Sequence, residues 1–493
     1  MIAQHLPVLQ IVLPLMAAPI CVLIRHPKVV WIWATLVSWL CLPISILLLV
    51  QVVESGAIVY ELGGWAAPWG IEYRIDMLNA FVLVIVAAVG AVVMPYARRT
   101  VAAEIPVSRV YLFYTMLLLC ETGLLGITIT GDAFNLFVFM EVSSLSSYVL
   151  ISFGKDRRAL TAAYRYLIMG TIGATFYILG VGLMYNATGS LNIHDLSQLI
   201  PKLAGSRTVE AALAFLTVGL GLKLALFPLH MWLPNAYTYA PSAVTVFLAA
   251  TATKVAVYAL IRVAYTIFGS VDILNFVPVR DMLMVMALLA MFIGSLVAIY
   301  QLNIKRMLAY SSVAQIGYMV LGLSFDTVTG VAAGIIHLFN HAMMKGGLFM
   351  VMGAVALQVG SVRLSGMAGL GRKMPLTMAA FVAGGLSLIG VPLTVGFVSK
   401  WYLIQAALEK GAWPMAVLIV LSSLLAVIYV WRVVEVIYFR PPNEKTEDAT
   451  EAPLELLIPI WVLIGASVYF GIDATTTLDV AIAAAKALLG AGS

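Results

Sequence analysis

Charge is what this sequence has least of: Asp, Glu, Lys and Arg together make up 10% of its 493 residues, while 62% are hydrophobic. Soluble domains carry about 25% charged residues, so the composition excludes a water-soluble globule and makes lipid the solvent. Cysteine is nearly missing too. Cys21, Cys41 and Cys120 fall inside apolar stretches with no metal or redox spacing, which leaves them as small core residues. No flavin, haem, iron–sulfur or nucleotide motif occurs. No cofactor is therefore expected, and any redox chemistry would belong to another chain.

What is abundant is apolar length. Runs long enough to cross about 30 Å of hydrocarbon recur along the whole chain. About fourteen can be counted, at 7–24, 29–52, 77–96, 109–130, 133–153, 160–185, 209–238, 242–267, 282–301, 308–324, 328–357, 376–406, 413–438 and 455–472. The fold class expected is an all-α polytopic membrane protein. No polar n-region with a cleavage site precedes the first run, which reads as a retained membrane helix and not a signal peptide. Residues 53–75, with Gly-Gly, Pro and alternating apolar positions, suggest a small hairpin. Residues 186–206 suggest an interfacial helix around "IHDLSQLIPKL", and "PPNEKTEDATEAPLE" a solvated loop.

The net charge of +5 is a topology signal, and no nucleic-acid partner is inferred from it. Connections after odd-numbered runs hold most of the basic residues, among them Lys155, Arg157, Arg158, Lys305, Arg306 and Arg363. Those after even-numbered runs hold only Arg74, Lys202, Arg207, Arg280 and Lys410. The first set should face the cytoplasm, with both termini outside.

Against this background the charges left inside runs stand out. Lys223, Lys254, Lys345 and Lys400 lie in runs seven, eight, eleven and twelve, and Glu121 and Glu141 in runs four and five. Each costs roughly 2.5 to 3.5 kcal/mol at mid-membrane. Four isolated lysines would cost on the order of 10 to 14 kcal/mol, comparable to the stability of a whole domain. They must be paired, hydrated or neutral, and a proton or ion path accounts for them better than four anchors do. Arg165, Arg262, Arg432 and Glu435 sit nearer run ends and read as structural anchors.

The segment "IIHLFNHAMMKGGLF" adds His337 and His341 to Lys345, spaced four apart, so the three share one helical stripe. Histidine titrates near neutral pH and desolvation brings lysine closer to it, so such a stripe can pass protons. A metal site is not expected, since "HLFNH" lacks the zinc-protease glutamate and no third ligand is near. Two runs are interrupted by breakers, run seven at Pro228 and Pro234, and run twelve at Gly390, Pro392 and Gly396. Broken helices at membrane depth line cavities and mark transport sites. Their matched places suggest two inverted five-helix repeats, 109–267 and 282–438, after a three-helix segment at 1–108 and before a loop, last helix and tail at 439–493.

"GDAFNLFVFMEVSSLSSYVLI", "LGLKLALFPLHMWLPNAYTYAPSAVTVFLAATATKVAVYAL", "LNIKRMLAYSSVAQIGYM", "HLFNHAMMKGGLFM" and "GVPLTVGFVSKW" together resemble the antiporter-like subunits shared by Mrp-type sodium/proton antiporters, respiratory complex I and membrane-bound hydrogenases, and among them most the D-type branch of the Mrp antiporters. The likeness spans about 60 to 438. It implies Glu141 and Lys223 as the ion-coupling pair, Lys254 as central relay, Lys400 as terminal group of the second half, and His337, His341 and Lys345 as the polar axis between halves. It also implies the other subunits of a hetero-oligomeric complex as partners, protons and Na+ as cargo, and a bacterial cytoplasmic membrane as location. The function expected is proton translocation within a cation/proton antiporter, or alternatively within a redox-driven pump. With no carboxylate-rich cage to hold a dehydrated sodium ion, a sodium path would need a partner. Glu121 lies outside the family pattern and reads as a paired structural acid or inter-subunit contact in preference to a local side path, and His230 as a helix cap or gate.

Overall fold

The computed structural model describes residues 2–203, 205–269 and 279–490. The connection between the two suggested repeats, at 270–278, lies outside that range. Apolar composition drives the chain into helix because a backbone crossing lipid must satisfy its own amides and carbonyls. Among the described residues, twelve helices are long and apolar enough to cross a membrane. The two interrupted runs are each split into a pair of shorter helices.

The first six crossings are continuous: α1 (Leu6–Ile24), α2 (Pro27–Ser55), α3 (Met77–Glu104), α4 (Val110–Ile129), α5 (Ala133–Ser152) and α6 (Arg158–Thr188). Between α2 and α3 a two-stranded antiparallel hairpin pairs β1 (Ile58–Glu61) with β2 (Glu72–Ile75), where the Gly-Gly and Pro signals suggested one. The short helix α7 (Ile193–Leu199), capped by Asn192 Oδ1 at 2.9 Å from Asp195 N, occupies the expected interfacial segment. Run seven is α8 (Arg207–Leu224) and α9 (Leu233–Tyr239), and run eight is α10 (Ser242–Ala250) and α11 (Ala252–Ile261) with one further turn to Ile267.

Then come α12 (Val279–Ile299), α13 (Ile304–Ser324), the 32-residue α14 (Val328–Val359) and the single turn α15 (Leu370–Lys373). Run twelve is α16 (Pro375–Ile389) and α17 (Val395–Glu409). The chain closes with α18 (Trp413–Phe439), α19 (Leu454–Ile472) and α20 (Thr475–Leu489), the last a helix where the sequence suggests only a tail.

Burial separates centre from rim. In α13 and in the α10–α11 crossing 94% of the spanning window is buried, against 33% in α2 and in α18. The polar stripe of α14 therefore sits in protein, not lipid: His337, Asn340, His341 and Lys345 are all buried. Small residues let these central helices approach closely. A Cβ on Gly322 of α13 would stand 2.7 Å from the Gly330 carbonyl of α14.

Two expectations need correction. The acidic connection before α19 is not simply solvated. Thr446 is fully buried and donates to Ala368 O at 2.7 Å, and Glu451 accepts the Leu376 amide at 2.7 Å. A carboxylate there satisfies orphan amides at the start of α16 and complements its dipole. Lys305 reads as a loop charge in the sequence, yet it is buried and donates to Ser242 Oγ at 3.1 Å. The same hydroxyl donates to Glu104 at 2.6 Å, so the lysine has a carboxylate one bond away.

Anchoring holds for Arg262, which reaches Asp76 Oδ1 at 2.5 Å and Tyr258 Oη at 3.0 Å and fastens run eight to the start of α3. Glu435 pairs with Arg440 at 3.0 Å. Arg165 is exposed, and neither it nor Arg432 has an ion-pair partner among the described residues.

Candidate functional site

The two breaks form by the same chemistry. At the first, Ala225 turns left-handed at φ 60° and the Leu226 amide bonds Gly221 O at 3.0 Å. At the second, Gly390 does so at φ 92° and the Val391 amide bonds Leu386 O at 3.1 Å. Both closures reuse orphan carbonyls of a helix end, and Pro228 and Pro392 prevent the helix from resuming at once. A helix C-terminus inside the membrane carries partial negative charge, a favourable seat for a cation.

Lysines occupy those seats. Lys223, two residues before Ala225, places Nζ 3.2 Å from Glu141 Oε1 and donates to Ser144 Oγ at 2.7 Å, both on α5. Its side chain is 5% exposed and that of Glu141 24%, so the carboxylate can be reached from outside this chain. Lys400 comes from the second half-helix and donates to Leu388 O at 3.0 Å and Ile389 O at 2.9 Å, covering the end of α16. Its Nζ stands 4.7 Å from the Tyr318 ring centroid, a cation–π contact. Gly396 permits the tight fold-back, since a Cβ there would lie 1.8 Å from Ser387 O.

Between these ends lie the other groups. Run eight holds a break that the sequence does not announce. Thr251 leaves helical geometry at φ −124°, and Lys254 Nζ takes the Ala249 carbonyl. Neither proline nor glycine marks the spot. Lys345 donates to Leu308 O at 2.8 Å and to Ser311 Oγ. His337 bonds Ser399 Oγ at 2.7 Å through Nδ1 and Gln315 Oε1 at 2.9 Å through Nε2, and stacks on His341 with centroids 6.2 Å apart. Both ring nitrogens of the fully buried His341 lack a protein partner among the described residues, so their donor and acceptor capacity is unspent.

His341 lies within electrostatic reach of Lys254, Lys345 and His337, and His337 within reach of Lys254 and Lys400. Beside Lys223 a cavity of about 30 Å³ is bounded by Ser143, Ser144, Ser147 and Tyr166 on one side and by Ala252, Ala256 and Ala259 of α11 on the other. That is room for about one water. The structure thus brings together Glu141 with Lys223, and Lys254, Lys345, His341, His337 and Lys400 along the interior.

Chemically the set is asymmetric. Among the described residues only Lys223 of the four central lysines has a carboxylate partner; the other three bond neutral carbonyls and hydroxyls. Neutral acceptors hold an ammonium without fixing it, whereas a carboxylate favours the charged form. Spatial partners that sequence reasoning does not reach are Ser144, Ser311, Gln315, Tyr318 and Ser399. The polar positions of "YSSVAQIGY" in an otherwise buried helix are the available signal.

Glu121 and His230 take places that their sequence context leaves open. Glu121 is fully buried and accepts from Ser38 Oγ at 2.8 Å, while its second oxygen has no partner among the described residues. It is held by a hydroxyl of α2 and not by a cation. His230 caps neither half-helix with its ring, which packs on Phe227 and Tyr310 at 5.3 and 6.3 Å, while its backbone carbonyl accepts the Leu233 amide.

Comparison with known proteins agrees with this architecture. The family model described as NADH:quinone oxidoreductase/Mrp antiporter, TM, matches residues 130–426. The chain is 43% identical over 474 residues to NADH-quinone oxidoreductase subunit N of Desulforudis audaxviator, covering 93% of this chain and 94% of the relative. It is 32% identical over 448 residues to the D-type subunit of the Na(+)/H(+) antiporter of Alkalihalophilus pseudofirmus, covering 90% and 89%. In structure it superposes at TM-score 0.91 and 32% identity on a chain of the membrane-bound sulfane sulfur reductase, an archaeal respiratory membrane complex, with 98% of each chain covered. With more than half its length inside that family model and near full-length relatives on both sides of the family, the chain belongs to the NADH:quinone oxidoreductase/Mrp antiporter transmembrane family.

Proposed function

We propose that the chain is the proton-translocating subunit of a hetero-oligomeric monovalent cation/proton antiporter in a bacterial cytoplasmic membrane, oriented with both termini outside. The observation that carries the reading is the buried series Lys223, Lys254, Lys345, His341, His337 and Lys400, in which, among the described residues, one lysine alone is matched by a carboxylate. Three ammonium groups with only neutral acceptors, Lys254, Lys345 and Lys400, cannot all stay charged in a low-dielectric interior. Protons therefore occupy some of them at a time and hop between neighbours.

Glu141 sets the occupancy of Lys223. At 3.2 Å it favours the ammonium form, and lengthening the contact favours release toward Lys254. A membrane potential of about 100 mV contributes roughly 2.3 kcal/mol per charge moved, enough to bias the relay without a bound cofactor. The two repeats, 109–267 and 282–438, would supply one half-path each, a division supported by the matching left-handed closures at Ala225 and Gly390. Sodium is assigned to a path completed by a partner subunit.

A second reading keeps the relay and changes its driver: proton pumping coupled to electron transfer in partner subunits. It is favoured by the 43% identity to a protein named as a quinone oxidoreductase subunit. The assembled complex in everted vesicles separates the two. Dissipation of an imposed pH gradient on adding Na+, with no electron donor present, supports antiport. Proton uptake only while a donor is oxidised supports the pump. The chain alone in liposomes should pass protons under voltage and show no sodium/proton exchange; robust exchange by the isolated chain would overturn the division of labour.

A further inference from the structure

On the face bearing the odd-run connections, a cavity of about 730 Å³ opens between the end of α9, the junction of α12 and α13, and the last two turns of α18. Arg158, Arg306, Arg363, Arg432 and Arg440 line it, with Glu435 as the one carboxylate among the lining residues. The relay uses none of them. Arg440 is engaged by Glu435 at 3.0 Å and Arg158 by Asp156 at 2.5 Å. Arg306, Arg363 and Arg432 have no carboxylate in ion-pair reach among the described residues, and the buried Nε of Arg306 has no hydrogen-bond partner there. Three guanidiniums thus line one cavity with no carboxylate in ion-pair reach, and their planar forks match the oxygens of a phosphate.

Of the exposed apolar groups nearby, Leu302 lines the cavity, and Trp431 and Phe439 are the chain neighbours of its Arg432 and Arg440. Leu302, Trp431 and Phe439 are 66%, 55% and 70% exposed, and the Trp431 and Phe439 rings pack 6.0 Å apart beside Arg432 and Arg440. Indole and phenyl groups next to arginines are the composition of a headgroup-level belt. Outward of them, α18 presents one of the least buried spans in the chain. A ligand matched to both surfaces has a phosphate at one end and acyl chains at the other.

We infer that this cavity binds the headgroup of an anionic diacyl phospholipid, its phosphate on Arg306, Arg363 and Arg432 and its chains along α18. Basic pockets between transmembrane helices on the cytoplasmic side hold such headgroups. The lipid is then seated one residue from Lys305, whose contacts with Ser242 tie α13 to α10.

Native mass spectrometry of the assembled, detergent-purified complex tests this with phosphatidylglycerol, phosphatidylcholine and inorganic phosphate as probes. Phosphatidylglycerol should be retained over phosphatidylcholine, and the triple variant Arg306→Gln, Arg363→Gln, Arg432→Gln should weaken its retention on the order of a hundredfold. Equal retention of the two lipids, unchanged retention by the triple variant, or displacement of the lipid by millimolar phosphate would overturn the assignment. If the variant does not assemble, the wild-type complex decides: its melting temperature should rise on adding phosphatidylglycerol and not on adding phosphatidylcholine, and no difference between them contradicts the site. A photo-crosslinker at Ser365 that captures another subunit in place of lipid would also overturn it.

Discussion

At both interrupted crossings a half-helix closes on a left-handed residue and an amide bonded five residues back, yet the lysine beside each closure keeps different company. Lys223 meets a carboxylate on a neighbouring helix, and that carboxylate is partly open to the outside of the chain. Lys400 meets two carbonyls of its own broken crossing and the face of Tyr318. The same backbone device thus serves a lysine whose charge a partner can adjust and a lysine held by fixed dipoles. Control is expected at the first break and passive hand-over at the second.

Substitutions can break that contrast or sharpen it. The largest functional effect belongs to Glu141→Gln and Lys223→Ala, which should each bring sodium-driven gradient dissipation to background in assembled complexes. Glu141→Gln keeps an oxygen for Lys223 and should leave the melting temperature nearly unchanged. Lys223→Arg should fail as well, because a guanidinium does not give up its proton at accessible pH. Lys400→Ala should lose transport and also stability, since it leaves Leu388 O and Ile389 O without their donor at a cost of roughly 1 to 3 kcal/mol each; a thermal scan of the purified complex reads this. Equal melting temperatures for Lys400→Ala and wild type would erase the contrast between the two breaks.

His341 should give an intermediate effect. Gln there can still bond water, whereas Leu dries the site, so initial rates should fall more for His341→Leu than for His341→Gln. The smallest effect is expected for Glu121→Gln, which keeps an acceptor for Ser38 and should change exchange rates by less than about twofold, as a structural hydrogen bond would. Loss of transport in that variant would add Glu121 to the path.

Much of this is legible in the chain, for reasons that differ residue by residue. Crossings can be read because lipid demands long apolar helices. The stripe of His337, His341 and Lys345 can be read because all three share one helix and a spacing of four. Pro228 and Pro392 announce two breaks. The third, at Thr251, cannot be seen because no proline or glycine makes it. Lys305 looks like a topology charge because its cover, Ser242 and Glu104, comes from distant segments. The arginine cavity likewise gathers five residues from separate stretches, which no local pattern exposes. That Glu141 faces Lys223 rests in the sequence on family resemblance, and the 3.2 Å contact supplies the geometry.

The most direct test of the account is a double-mutant cycle on Glu141 and Lys223, read as the initial rate of pH-gradient dissipation in everted vesicles with assembly checked by native gel. If the two act as one unit, each single variant should fall to background while still assembling, and the double variant should be no worse than either. Near-normal exchange by an assembled Lys223→Ala complex would contradict the relay.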